Sequence, residues 1–294
     1  FFTGWHSPNK RLKREASKLQ GFKQQRLEAT TAISHCAAMS ETNLKNVLVT
    51  GAARRIGAAI AHDLAANGWA VAVHYQDSAD DASKVVDDIT AQGGKAVTLQ
   101  AELSQDGQAK ALIDAATEKL GPLTCLINNA SIFEPDTIET ATPGSWDRHI
   151  QANLQAPLFL TQQFAELLPE GETGNVINLL DQRVWNLTPY FVSYTVSKTG
   201  LWTLTKSLAL ALAPRIRVNA IGPGPALPSP RQSDEEFAEQ CAATPLGCGT
   251  SPEEICQTVR FILSTSSLTG QMIALDGGQH LGWAQPNGDA APVE

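Results

Sequence analysis

NVLVTGAARRIGAAIAHDLAANG, residues 46–68, is the stretch whose reading decides the fold. It opens on a short apolar run, NVLVT, that reads as a buried strand, and it closes on an alanine-rich amphipathic run that reads as a helix. Between them lies TGAARRIG, Thr50 to Gly57. Glycines at a strand-to-helix turn let backbone N–H groups approach a pyrophosphate, and the helix dipole favours the anion at the same place. Two glycines alone are weak evidence, because such turns occur in any βα unit. Their position after the first strand of a repeated pattern gives them weight. Arg54 and Arg55 add positive charge at the turn; taken by themselves they read as solvated surface arginines.

The alternation continues along the chain. WAVAVHY (69–75) is followed by SADDASKVVDDITAQG, KAVTLQ (95–100) by SQDGQAKALIDAATEKLG, and LTCLINN (123–129) by a long helix over 145–168. NVINLL (175–180), the helical run TGLWTLTKSLALALA, IRVNAIG (216–222), two short helices and QMIALDGG (271–278) complete the pattern. Seven β-runs separated by helical runs predict a parallel sheet covered on both faces, whose doubly buried strands read as continuous apolar stretches. The expected architecture is α/β: a Rossmann-type, doubly wound, parallel seven-stranded sheet in a single domain over 45–283. Ser251-Pro252-Glu253-Glu254 combines an N-cap, a proline at N1 and a glutamate at N3, and Ser233 with Glu236 repeats the capping-box spacing, so helices start at both. GPGPALPSPRQ (222–232) is a loop beyond a strand's carboxyl end, where ligands of open α/β sheets bind.

Composition bounds the rest. The chain has 294 residues, 43% hydrophobic and 18% charged, and its net charge of −8 argues against a nucleic-acid or membrane-surface role. No apolar run reaches transmembrane length. Cys36, Cys125, Cys241, Cys248 and Cys256 are odd in number and lack CxxC spacing, so reduced thiols are expected and no metal site. Residues 1–38 carry seven Lys/Arg against Glu15 and Glu28, a net of +5 that leaves −13 for the remainder. Two readings stay open for them: sequence upstream of a natural start at Met39, or a basic, acid-poor organelle presequence. The lack of strong arginine enrichment and of a clear apolar face favours the first. Residues 1–44 are thus expected to be an extension outside the fold, disordered or not native, and 284–294 a C-terminal tail.

The chemistry concentrates in DQRVWNLTPYFVSYTVSK, residues 181–198. Tyr194 and Lys198 are four residues apart and share one helix face. A phenol, with a pKa near 10, is a poor acid or base at neutral pH unless a cation stabilises its phenolate. Lys198 supplies that cation, so a lowered Tyr194 pKa is expected. Tyr190 has Tyr194 at its own i+4 position and no such partner. Asp181, at the end of the preceding strand, is a second acid placed to face Tyr194. The second strand ends at His74-Tyr75 with no carboxylate to hold the 2′-hydroxyl of NAD; with Arg54 at hand for a 2′-phosphate, this favours NADP(H). Asp77 is an unfavourable neighbour for that phosphate.

These pieces together resemble the short-chain dehydrogenase/reductase family over essentially all of 45–283. The matching residues are Thr50-Gly51 and Gly57, Asn128-Asn129-Ala130 after the fourth strand, Asn153, Tyr194 with Lys198, Pro223-Gly224, and Asp276-Gly277-Gly278. Three features depart from the general pattern: Arg55 where most members have a central glycine, Asp181 where most have serine, and Ser131-Ile132-Phe133 after the Asn-Asn-Ala motif. All three look like the pteridine reductase and dihydromonapterin/dihydrofolate reductase branch. That resemblance implies NADPH as cofactor and a pterin or folate-like substrate. It implies catalytic roles for Tyr194, Lys198, Asp181 and Asn153, with Asn153 holding a water that relays protons to Lys198. Substrate would lie against Arg55, Ser131, Phe133, Asp181 and Tyr194, with the Phe133 ring stacked on it. The implied cofactor-binding set is Gly51, Arg54, Arg55, Ile56, Gly57, His74, Tyr75, Ser78, Glu102, Asn129, Ala130, Ser131, Lys198, Pro223 and Gly224. A cytoplasmic homotetramer is expected, with no nucleic-acid, membrane or metal partner, unless 1–38 directs the chain to an organelle.

Plainer readings stand beside these. Asn153 in an apolar helix reads as a buried amide satisfied by backbone, Phe133 as packing under its loop, and Asp181 as a partner of Arg183 or a cap for the following turn. His280 and Trp283 fit either a pocket or an interface, and Trp146 and Trp202 read as core or interface residues. The competing functions are a carbonyl reductase of the same family acting on a ketone or 3-oxoacyl thioester, against which Asp181 counts, and a dinucleotide-binding regulator without catalysis.

Overall fold

Strands form where the continuous apolar runs stand. They are β1 (Asn46–Val49), β2 (Ala70–Tyr75), β3 (Lys95–Gln100), β4 (Cys125–Asn128), β5 (Gly174–Leu179), β6 (Ile216–Pro223) and β7 (Met272–Leu275). The computed structural model describes residues 44–282, so the expectations for 1–43, Trp283 and 284–294 lie outside the described residues. Every strand pair is parallel, in the order β3-β2-β1-β4-β5-β6-β7. Eight α-helices are described: α1 (Arg55–Ala66), α2 (Ala79–Ala91), α3 (Gln108–Leu120), α4 (Pro143–Ile150), α5 (Ala156–Leu167), α6 (Val192–Leu212), α7 (Asp234–Ala242) and α8 (Pro252–Ser264).

β1 shows how the sheet is covered. Its side chains alternate faces with a period of two. Val47 and Val49 pack with Ile60 and Leu64 of α1 and Val259 and Ile262 of α8, whereas Leu48 points to the layer built by Ile113 of α3 and Phe164 of α5. Both capping boxes form. Glu254 N–H donates to Ser251 Oγ and Ser251 N–H to Glu254 Oε2, each at 3.2 Å, and Ser233 and Glu236 exchange the same pair at 3.2 and 2.8 Å. No helix among the described residues is long and apolar enough to cross a membrane.

One expectation fails here. The single helix over 145–168 is two helices, α4 and α5, joined by a π-helical turn at Gln151–Gln155. The cause is local. Pro157 has no N–H to offer the carbonyl four residues earlier, which is that of Asn153. π-turns concentrate at functional sites, and this one carries Asn153.

The chain runs outward from β1 to β3 and crosses back to β4, so strand order reverses between β1 and β4. At that switch point the turn after β1 and the segment after β4 meet beyond the strands' carboxyl ends, where a crevice opens.

Candidate active site

The turn after β1 is held by one hydroxyl. Thr50 Oγ1 accepts the N–H groups of Asn129 and Ala130, each at 2.9 Å, and donates to the Ile127 carbonyl at 3.3 Å. Asn129 Nδ2 donates to the carbonyls of Thr50 (2.8 Å) and Gly51 (3.1 Å). Two glycines are demanded by this closeness. Gly51 has φ +61°, and a Cβ at Gly57 would stand 2.2 Å from the Gly51 carbonyl oxygen. The result is a tight backbone cradle at the N-terminus of α1, suited to a phosphate.

His74 serves this cradle from behind. Its Nδ1 accepts the Gly51 N–H at 3.0 Å and its Nε2 meets the Ala101 carbonyl at 3.1 Å. An amide can only donate and a carbonyl only accept, so the ring is neutral with its proton on Nε2. Burial lowers its pKa from 6.5 to about 4, against weaker opposing effects of the Ala101 carbonyl and Glu102. Both ring nitrogens are committed inside the protein, so His74 positions Gly51.

Two cavities adjoin at the crevice. The one beside the cradle, about 350 Å³, is lined by all the expected cofactor residues except Tyr75, Ser78, Lys198, Pro223 and Gly224. The last three line the larger cavity, about 420 Å³, together with Phe133, Asp181 and Tyr194. Arg55, Ile56, Asn129 and Ser131 belong to both. Tyr75 and Ser78 line neither; they end β2 and precede α2. Arg54 is largely exposed and paired with Asp81 at 2.5 Å through Nε and Nη2. Glu102 Oε1 accepts from the Ser104 hydroxyl at 2.6 Å and from its N–H at 3.2 Å.

Arg55 explains its own departure from the common glycine. Its φ is +55°, a left-handed conformation that costs a non-glycine residue about 1 kcal/mol or more. Its guanidinium reaches across the crevice and donates to the Pro228 carbonyl at 2.8 Å and the Leu227 carbonyl at 3.3 Å. The side chain thus ties the cradle to the loop after β6, a connection glycine cannot make.

Tyr194 sits in the first turn of α6, which is held from another loop. The buried Asp136 carboxylate accepts the Ser193 N–H at 3.1 Å, and its main-chain carbonyl accepts the Phe191 N–H at 2.7 Å. A carboxylate suits a helix N-terminus. Phe191, just before α6, has φ +58°. Tyr194 OH donates to Asp181 Oδ2 at 2.9 Å, while Asp181 Oδ1 accepts the Arg183 N–H at 2.8 Å. Asp181 therefore both caps the turn after β5 and faces the phenol. Arg183, buried, brings Nε to 4.0 Å from Asp181 and its guanidinium to 5.0 Å from the Phe191 ring centre.

The expected direction of the Tyr194 shift is overturned. Burial, then the charge of Asp181 and the hydrogen bond to it, push the phenol well above its ordinary value, with Arg183 pulling weakly the other way. Lys198 Nζ lies 5.7 Å from the centre of the phenol ring and donates to the Leu179 carbonyl at 2.8 Å. Burial lowers the Lys198 pKa from 10.5 to about 8, and Asp181 opposes that fall. Tyr194 thus keeps its proton, donated to Asp181, and Lys198 is the lysine whose pKa burial brings down to about 8.

Asn153 is fully buried. Its Oδ1 accepts the Ile132 N–H at 2.8 Å, and Nδ2 donates to the Ile132 carbonyl (2.9 Å) and to Ser197 Oγ (3.0 Å). Both amide hydrogens are committed, so the side chain clamps the 130s loop to α6. What is left to hold a water is its main-chain carbonyl, which has lost the Pro157 N–H. Phe133 lies parallel to Phe191 at 4.5 Å and edge-on to Tyr194 at 4.7 Å, and the Ser131 hydroxyl is exposed at the rim of both cavities. His280 pairs through Nδ1 with Asp276 at 2.8 Å and packs on Trp185; it does not line either cavity. Trp202 packs edge-on against Trp185 at 6.2 Å, and Trp146 is partly exposed.

Sequence reading missed Asp136, Phe191 and Arg231. Asp136 acts across 57 residues and Arg231 across 98, and a positive φ at phenylalanine has no sequence signal.

Comparison with known proteins bears on this geometry. Residues 51–280 match the family model described as enoyl-(acyl carrier protein) reductase. An uncharacterized oxidoreductase of Methylorubrum extorquens is 38% identical over 248 residues, 82% of this chain and 99% of that one. The 3-oxoacyl-[acyl-carrier-protein] reductase FabG of Staphylococcus aureus is 34% identical over 242 residues, 81% of this chain and 98% of that one. Among solved structures, FolM alternative dihydrofolate reductase 1 from Brucella suis, in complex with NADP, is 47% identical with a TM-score of 0.80, covering 83% of this chain and 98% of its own.

Proposed function

The chain belongs to the short-chain dehydrogenase/reductase family, and we propose that within it the protein is an NADPH-dependent reductase of a pterin-type substrate: a dihydropteridine, dihydromonapterin or dihydrofolate. The observation that carries the reading is the 2.9 Å hydrogen bond from Tyr194 to Asp181 inside the larger cavity. Reducing a C=N bond needs hydride on carbon and a proton on nitrogen. A hydroxyl suffices to polarise a ketone, whereas a carboxylate that keeps the tyrosine protonated suits a site that must deliver a whole proton to a ring nitrogen. The similarity to the Brucella FolM structure supports the same substrate class and the NADP(H) cofactor.

The turn at Gly51 and Gly57 suits a dinucleotide's pyrophosphate: a Cβ at either glycine would press on the neighbouring loop atoms, so only glycines let the backbone fold this tightly at the N-terminus of α1. Arg54, which lines the smaller cavity and pairs with Asp81, would take the 2′-phosphate, and Lys198, Pro223 and Gly224, which line the larger one, would hold the nicotinamide end. NADPH, when bound, supplies the hydride. The chain's own residues supply the rest. Tyr194 gives its proton to the substrate nitrogen, and the phenolate left behind is offset by the Lys198 ammonium. Asp181 keeps the phenol protonated until substrate arrives. A water on the Asn153 carbonyl returns the proton through Lys198. Phe133 offers an aromatic surface to the heterocycle, and Ser131 and Arg55 offer polar groups to its edge.

A carbonyl reductase acting on a 3-oxoacyl thioester is the second reading, favoured by the similarity to FabG. NADPH oxidation with dihydrobiopterin, dihydromonapterin and dihydrofolate beside a panel of ketones separates the two. Turnover on ketones alone would sink the pterin reading, and cofactor binding with no turnover would favour a regulator. Arg55 offers a further check. Arg55→Gly is expected to leave stability within about 1 kcal/mol, because relief of left-handed strain offsets glycine's extra unfolded-state entropy. Losing its charged hydrogen bonds is expected to raise KM for the pterin about tenfold; an unchanged KM would remove Arg55 from substrate binding.

We read the assembly as a homotetramer. The exposed apolar side chains Phe159 on α5 and Val196 and Leu210 on α6 support a buried contact there. Light scattering at four times the chain mass is the expected result, and a monomer mass would refute it.

A further inference from the structure

We propose that Cys241 and Cys248 are a redox modification site: a peroxide converts the two thiols to a disulfide that fastens one wall of the larger cavity to another. The pairing does not depend on which substrate the site reduces. Both residues are free thiols, Cys248 exposed and Cys241 half-buried. Cys125 and Cys256, by contrast, are buried in the core.

Folding brings the pair onto one hydroxyl. Cys241 lies in the last turn of α7, and Cys248 lies on the connection from α7 to α8. Thr244 Oγ1 is 2.9 Å from the carbonyl oxygens of both, and it accepts the Cys248 N–H at 3.2 Å. The Cys241 sulfur lies against the residue after Cys248, since a Cβ at Gly249 would stand 2.9 Å from it. Glycine there leaves no side chain to part the two sulfurs. A disulfide spans Cα atoms up to about 7 Å apart, a reach suited to two residues held by one hydroxyl.

The neighbours give the bridge its consequence. Gln240, beside Cys241, lines the larger cavity, and so does Pro225. The Pro225 carbonyl packs on Gly249 and accepts the Thr250 N–H at 2.8 Å, while Leu246 N–H donates to the Gly277 carbonyl at 2.9 Å. The segment carrying Cys248 is therefore fixed to the body of the protein. Helix α7 has no buried residue, so fewer contacts hold it. A bridge ties the wall carrying Gln240 to the wall carrying Pro225.

The order of events follows from exposure. Cys248 meets the oxidant first, because burial raises the Cys241 thiol. Hydrogen peroxide passes one oxygen to the Cys248 sulfur: the O–O bond breaks, an S–O bond forms, and one water leaves. The Cys241 sulfur gives up its proton and attacks the sulfenic acid. The S–O bond breaks, the S–S bond forms, and the hydroxyl departs as a second water. Two thiols are oxidised and one peroxide is reduced.

The test exposes the full chain to hydrogen peroxide, alkylates the unfolded product with iodoacetamide and maps the tryptic peptide 232–260, which holds Cys241, Cys248 and Cys256. The expected product is alkylated on Cys256 alone and bridged between Cys241 and Cys248; dithiothreitol restores alkylation at all three. In the native protein, tryptic cleavage after Arg231 is expected to slow about tenfold on oxidation, because a cross-link restricts the opened state from which the protease cuts. Peroxide is expected to leave that rate unchanged in Cys241→Ser and Cys248→Ser. Alkylation of all three thiols after peroxide overturns the pairing, as does a Cys248 sulfinic acid beside an alkylated Cys241, or a bridge to Cys256. A Cys241–Cys248 bridge that leaves the cleavage rate unchanged overturns the clamp. Neither readout uses turnover, so a failure of the pterin reading is distinguished from a failure of this one.

Discussion

Tyr194→Phe is expected to lower kcat about 10²–10⁴-fold, the contribution of a positioned general acid, while NADPH still binds. The ring that packs edge-on against Phe133 is retained, so the cavity keeps its shape. What is lost is the proton and the 2.9 Å bond to Asp181. That bond is largely buried, so unfolding is expected to become easier by about 1–3 kcal/mol, from the oxygen of Asp181 left without its donor. An unchanged rate would remove Tyr194 from the mechanism. The pH dependence of the parent tests the same arrangement from the other side. Because burial lowers Lys198 to about 8, its ammonium is present below that pH and is lost above it. The charge that offsets the phenolate disappears with it, so kcat is expected to fall as pH rises through about 8. A profile that stays flat to pH 10 would contradict the role given to Lys198.

The fold was legible because doubly covered strands must be continuously apolar, and the segments Val47–Val49, Val71–Val73 and Cys125–Ile127 are so without interruption. Capping boxes at Ser233 and Ser251 were legible because their chemistry lies within four residues. The site was less legible for the converse reason. Asp136 and Arg231 reach it from distant loops. Phe191 and Arg55 hold left-handed conformations that are readable only when glycine occupies them. His74 lines the smaller cavity as expected, but that both its ring nitrogens are committed to backbone groups could not be read from its position at the end of the second strand. Tyr194 and Lys198 had the right spacing, but spacing carries no information on burial. Desolvation, then the charge of Asp181 and the hydrogen bond to it, outweigh the pull of Arg183 and reverse the expected direction of the phenol's shift.

Asp181→Ser bears on substrate class more directly than any change to Tyr194. Serine is the residue that the resemblance to the general family pattern leads one to expect at this position, so the exchange moves the site toward the carbonyl-reducing pattern. It removes the charge that helps hold Tyr194 protonated and the acceptor that caps Arg183 N–H. It also leaves the buried Arg183 without its carboxylate, a loss of about 3–5 kcal/mol if the two act as a buried ion pair, and less at their 4.0 Å separation. Stability must therefore be measured beside activity, and Asp181→Asn serves as the control, because its amide oxygen can still accept the Arg183 N–H. On the pterin reading both variants are expected to lose about 10²-fold or more in pterin reduction. Asp181→Ser is expected to keep or gain activity on simple ketones, which need only a hydroxyl to polarise the carbonyl. Pterin reduction that survives both exchanges undiminished, in protein that remains folded, would mean that the carboxylate is a cap for its own turn. The assignment of substrate would then rest on Arg55 and Phe133 alone.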